Sequence, residues 1–182
     1  MNPWVTVADE PAPALVEVER GSQVTWTSQP GVPAPADPLG HRGVWSGGLW
    51  VLGAHGGAGE STVAAMTRWR PAGHLWPVAV GALARPAVLV VARSNAHGLE
   101  AARAAACQWA AGDLACDLAG LLVIADAPGR LPVPLRHLRD VVAGTYPHAW
   151  HMPWLPPLRL GQPCPAPPVV GQIARTLDER TA

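Results

Sequence analysis

The densest chemistry in the chain lies in His55-Gly56-Gly57-Ala58-Gly59-Glu60-Ser61-Thr62. Its three glycines let the backbone curl so that successive N–H groups point inward, and a helix starting at the end of the loop adds about half a positive charge. That geometry suits a phosphate. The loop matters only if a strand feeds it and a helix follows it.

Four other groups of residues bear on chemistry. His55-Gly56-Gly57 resembles the oxyanion loop of esterases, but that fold needs a separate G-x-S-x-G elbow, and Gly59-Glu60-Ser61 gives only its first half inside the same loop. Asp126-Ala127-Pro128-Gly129 reads either as a magnesium-holding aspartate with a D-x-x-G switch or as turn chemistry, and the turn is preferred. His148 and His151, with Cys164 beyond, fall on opposite faces of a strand, and no second pair completes a tetrahedral metal set. Arg130, Arg136 and Arg139 gather around one helix start, either as a solvated face or as a small site for an acidic partner or phosphate.

The elements that must position these residues follow from apolar spacing. Residues 49–54 read as a strand and 60–69 as a helix, with Val63, Met66 and Trp69 on one face. Residues 75–83, broken by Pro77 and Gly81, read as a short edge strand. The run 87–92 is a buried strand leading into an Ala-rich helix over 99–111, stopped by Gly112. A strand at 120–125 precedes a helix opened by Pro134, carrying Leu135, Leu138, Val141 and Val142 on one face and closed by Gly144. A short strand at 148–152 and an amphipathic helix over 169–180 complete the chain. Alternation of this kind predicts an α/β fold whose mostly parallel sheet is covered by helices on both faces. Residues 1–46, rich in proline, read as a largely unstructured N-terminal arm before a domain at 47–182. Trp4, Trp26 and Trp45 of that arm are expected to dock on the domain.

Composition narrows the function. The 182 residues hold 13 arginines, 13 acidic residues and no lysine, so the net charge is zero. A general nucleic-acid binder needs a basic excess, and lysine Schiff-base chemistry is excluded outright. With 49% hydrophobic and 14% charged residues, a substantial core is expected. The apolar runs are far shorter than the roughly 20 residues of a membrane span, and the acidic residues 1–10 do not form a signal peptide, so a cytoplasmic protein is expected. Cys107, Cys116 and Cys164 form no CxxC pair and read as reduced structural thiols.

The loop is similar to the deviant Walker A loop of ParA/MinD-like P-loop NTPases, which runs Lys-Gly-Gly-x-Gly-Lys-(Ser/Thr)-Thr. Gly56, Gly57, Gly59, Ser61 and Thr62 match it, while His55 replaces the signature lysine, Glu60 the general P-loop lysine and Ala54 the first glycine of the wider pattern. Residues 90–106, and His151-Met152-Pro153 with Leu158-Arg159, resemble later segments of that class, so the likeness spans about 47–162. The chain also resembles an uncharacterised family of GC-rich Gram-positive bacteria, associated with mobile elements, that shares the His-Gly-Gly-Ala-Gly loop and an Ala-Asp-Ala-Pro-Gly-Arg segment. These resemblances imply a three-layer P-loop fold with a nucleotide site at residues 55–62.

The two replacements alter that expectation. One unit charge about 5 Å from a phosphate is worth roughly 3 kcal/mol at an effective dielectric near 20, so Glu60 in place of lysine should badly weaken triphosphate binding. Glu60, in the first helical turn, is expected to cap the site as a built-in anion mimic. Mg²⁺ bridged by Ser61, or Arg93 or Arg130 as a substitute cation, would restore ATP or GTP binding, and a protonated His55 would strengthen it in acid. The expected role is therefore a non-catalytic regulatory or scaffolding protein with a degenerate nucleotide site and a protein partner, linked by analogy to partition or transfer of mobile elements. The rival is an ATP- or GTP-binding switch with an unusual cation. Hydrolysis is not expected, because phosphoryl transfer rests on charge stabilisation.

Overall fold

A computed structural model describes residues 29, 31–81, 84–112 and 114–178. The elements run β1 (His41–Val44), β2 (Leu49–Gly53), α1 (Glu60–Met66), β3 (Arg70–Pro71), β4 (Trp76–Ala79), β5 (Ala87–Arg93) and α2 (Ala96–Ala110). They continue with β6 (Asp117–Ile124), α3 (Val133–Ala143), β7 (Ala149–Met152), α4 (Pro156–Arg159) and α5 (Pro168–Asp178). Five strands form one sheet in the order β3-β2-β5-β6-β7, every pair parallel, as the alternating pattern predicts.

The apolar runs of β5 and β6 do not alternate with polar residues because both faces of these central strands are covered. Val88, Val90 and Ala92 of β5 point to a cluster that holds Leu99, Ala102 and Trp109 of α2 and Val142 of α3. Leu89 and Val91 point the other way, to Val63 of α1 and Ile173 and Leu177 of α5. Each buried Val or Leu contributes about 1.5–3 kcal/mol, so these two clusters hold the helices to the sheet. Burial also makes two polar side chains inert. It pushes the Cys116 thiol up to about 12 and drives the Tyr146 phenol far above its ordinary range while its hydroxyl donates to Ala102 O.

Two helix starts are set by single residues. Asn95 caps α2 by accepting from Gly98 N at 2.8 Å. A Cβ on Gly98 would lie 2.3 Å from Arg93 O, so glycine alone lets α2 begin this close to the end of β5. Helix α1 is shorter than its spacing predicts. The Thr67 hydroxyl donates to Val63 O and accepts from Trp69 N, which turns the chain out of the helix at residue 67.

The short edge strand expected within 75–83 is β4, but it belongs to a separate two-stranded sheet: it pairs in parallel with β1, which lies within the residues that read as an unstructured arm. Gln108 of α2 anchors this unit: its Oε1 accepts from Leu39 N and Trp76 Nε1, and its Nε2 donates to Leu39 O. Residues 1–28, with Trp4 and Trp26, lie outside the described residues. Trp45 does not dock, since it is 76% exposed.

Candidate functional site

In a parallel sheet the carboxyl ends of all strands meet at one edge, and ligand crevices form there. Here β2 delivers residues 54–59 to that edge, β5 delivers Arg93 and Asn95, β6 delivers Ala125 and Asp126, and β7 delivers Pro153 and Trp154. Together with Leu158 and Arg159 of α4 they enclose a cavity of about 500 Å³.

The predicted loop lies on its floor. Gly57 has φ +76° and Gly59 φ +105°, conformations that side chains rarely adopt, and a Cβ on Gly59 would also lie 2.7 Å from Ile124 Cδ1. Gly56 differs from both. Its φ is not in the left-handed region, and a Cβ there, as at Gly57, would meet nothing within 4 Å. The fold does not require glycine at 56, so an extra methyl would simply occupy cavity space. Ala58 is buried beneath the loop, its N–H donating to His55 O at 3.2 Å. Thr62 lines the cavity and Ser61 does not, so of the two hydroxyls Thr62 is placed to meet a ligand.

Glu60 is not an anion mimic capping the loop. Its carboxylate turns away from the cavity and ties the end of β2 to the 73–74 turn: Oε2 accepts from Gly53 N at 2.9 Å and His74 N at 3.2 Å, and Oε1 from Gly73 N at 2.6 Å. His74, at φ +61°, closes the same knot by donating from Nδ1 to Gly53 O at 2.7 Å. Three backbone donors satisfy this carboxylate, and it is a structural strut.

His55 is not a cation either. Its Nε2 accepts from Arg93 N at 3.2 Å, which requires the neutral tautomer with hydrogen on Nδ1, and that hydrogen goes to Gly56 O at 2.8 Å. Burial is the main cause that holds its pKa below the ordinary 6.5, opposed by the Gly56 bond and reinforced by electrostatic interaction with His97, Arg93 and His74. Protonation would set an N–H against the Arg93 N–H. The His97 ring meets His55 edge-on at 5.2 Å.

The positive charge comes from the next strand. Arg93 donates from Nε to Gly57 O at 3.2 Å and from Nη1 to Ala125 O at 3.3 Å, so its guanidinium lies across the loop and lines the cavity. Nη2 has no hydrogen-bond partner among the described residues. Arg159 lines the same space, and Asp126 supplies its carboxylate. The sequence offered Arg93 and Arg130 equally as substitute cations, and the structure separates them. Arg130 lines a second cavity beyond Asp126, with Arg139, while Arg136 lines neither.

The remaining predicted groups play other parts. His148 stacks on Trp150 at 5.4 Å, and Trp150 packs so tightly on the backbone of β6 that a Cβ at Gly120 would lie 2.5 Å from its ring. His151 faces the second cavity, its pKa lowered by burial first and Arg139 next. No metal-holding cluster of His, Cys, Asp or Glu occurs among the described residues. No described helix is long and apolar enough to cross a membrane.

Fold and site define an α/β protein with a parallel sheet and a guanidinium-lined crevice at the strand ends. The chain belongs to the family of unknown function DUF6668, whose profile matches residues 47–176. No curated protein and no solved structure matches it.

Proposed function

We propose that this is a non-catalytic protein of ParA/MinD-like, three-layer P-loop type that binds a nucleotide phosphate, with Arg93 replacing the missing lysine, and serves as a regulatory or scaffolding component. The observation that carries this reading is the exchange of charges at the loop. The Arg93 guanidinium lies over Gly57 inside the cavity, whereas the Glu60 carboxylate is bound outside it by three backbone N–H groups. The repulsion of roughly 3 kcal/mol that Glu60 would exert from the lysine position is therefore replaced by attraction from Arg93.

Gly56 supports the same reading, since the open space beside its Cα leaves room for a phosphate to approach the backbone. For ATP or GTP with Mg²⁺, Thr62 and Asp126 would be the oxygen donors available to the ion. No lysine exists, and Arg93 is held in place by two backbone carbonyls, so no mobile cation follows the charge that develops in a phosphoryl-transfer transition state. Binding without turnover follows. The exposed Trp45 and Val141 supply apolar contact points for a protein partner. The link to partition or transfer of mobile elements rests on the sequence resemblance alone.

Thermal unfolding of the full chain with Mg²⁺-ATP, Mg²⁺-GTP and ADP tests this. A ligand at 100 times its Kd stabilises the native state by about 2.7 kcal/mol, so a clear upward shift of Tm is expected, with no phosphate released over hours. No shift with any of the three at millimolar concentration would overturn the proposal.

A further inference from the structure

The crevice does not end at Asp126. A second cavity, also about 500 Å³, adjoins the first between the ends of β6 and β7 and the start of α3, and Asn95, Ala125, Asp126, Met152 and Pro153 form walls of both. Either volume alone falls in the range that houses a small ligand, so one mononucleotide does not need both.

The walls of the second cavity differ from those of the first. Val123, Leu131, Leu135 and Pro132 make it apolar, and Arg130 and Arg139 bring guanidinium groups to it. Arg139 is neutralised by Asp140, with Nη2 to Oδ1 at 2.7 Å. Arg130 has no ion-pair partner among the described residues. Asp126 lines the shared wall but forms no ion pair with Arg130, so the apolar recess with one unpaired arginine suits a flat, weakly polar body that ends in an anion on the Arg130 side. The first cavity, with Arg93 and the glycine loop, suits another anion.

From these shared walls we infer that one ligand spans both cavities: a nucleotide with two separated phosphoryl groups, one at Arg93 and one at Arg130, with the nucleoside lying over the shared residues. The class is a nucleoside bisphosphate, as opposed to a nucleotide with a single phosphate chain. This inference rests on the proposed phosphate site at Arg93 and adds the second subsite. It also absorbs the arginine cluster that the sequence marks, of which Arg130 alone lines this crevice without a carboxylate partner.

Adenosine 3′,5′-bisphosphate and ADP contain the same atoms and differ in whether the two phosphates are apart or adjacent. Calorimetric titration of the full chain with each is expected to show the bisphosphate binding at least about tenfold more tightly. Arg130→Ala, at an exposed position, should remove that preference, and Arg130→Glu should reverse it. Equal binding of the two compounds, or a preference that survives Arg130→Ala, overturns the second subsite alone. Failure of both compounds to bind overturns the second subsite, and inorganic pyrophosphate then decides the Arg93 site: its binding leaves that site standing, and its failure to bind overturns that site as well.

Discussion

The β2–α1 loop and the end of β5 contribute to one cavity in opposite ways. The loop contributes backbone, and its recognisable residues, the glycines at 57 and 59, are there because of φ and close packing. Its two conspicuous side chains, His55 and Glu60, are both spent on backbone hydrogen bonds. The end of β5 contributes a side chain, Arg93, that no local motif marks. The glycine spacing therefore reports where the chain turns, while the charge beside the loop is set by which strand lies next to it.

Three changes probe that contrast. The largest effect is expected at Glu60. Glu60→Lys leaves one partly buried and two exposed N–H groups without their acceptor and should lower stability by about 1–3 kcal/mol, read from urea unfolding. If Glu60→Lys instead retained full stability and gained nucleotide affinity, the carboxylate would belong to the phosphate site after all. Gly56→Ala comes next and should act on binding and folding in opposite senses. A methyl in the cavity should weaken ADP by about tenfold, about 1.4 kcal/mol, while the reduced freedom of the unfolded chain raises stability by about 0.4–1 kcal/mol. Loss of stability with unchanged ADP affinity would mean that Gly56 serves the fold.

The smallest effect is on pH dependence. His55 and His151 have folded-state pKa values below the ordinary 6.5, so between those values and 6.5 the unfolded chain binds more protons. Their contribution to stability is complete above about pH 6.5 and is lost as pH falls below it. Unfolding titrations at pH 7.5 and 5.5 should show lower stability at the acidic value, and His55→Gln should reduce the difference. Nucleotide affinity should not rise on acidification, because a protonated His55 breaks its bond to Arg93 N.

The parts of the fold that repeat locally are legible in the sequence. The central strands and helices α2, α3 and α5 follow from unbroken or 3.6-period apolar runs, and the glycine loop from its spacing. What could not be read depends on distant residues. His41–Val44 has no apolar alternation, and it is a strand because β4 lies beside it. The direction of Glu60 is set by Gly73 and His74, in a turn beyond the end of α1. Trp45 is aromatic and was expected to dock, yet nothing in the described fold covers it. Of the candidate site, the loop positions and the two candidate arginines are legible in the sequence, but which arginine lies over the loop is not, because that is set by β5 lying next to β2.

The most direct test is calorimetric titration of ADP into the full chain and into Arg93→Ala. The wild-type chain is predicted to bind saturably, and Arg93→Ala to bind about 10–100-fold more weakly, the loss of one charge-assisted contact of about 1.5–3 kcal/mol. Equal affinity in the two proteins, or no saturable binding in the wild-type chain, would contradict the assignment of Arg93 as the cation of the site.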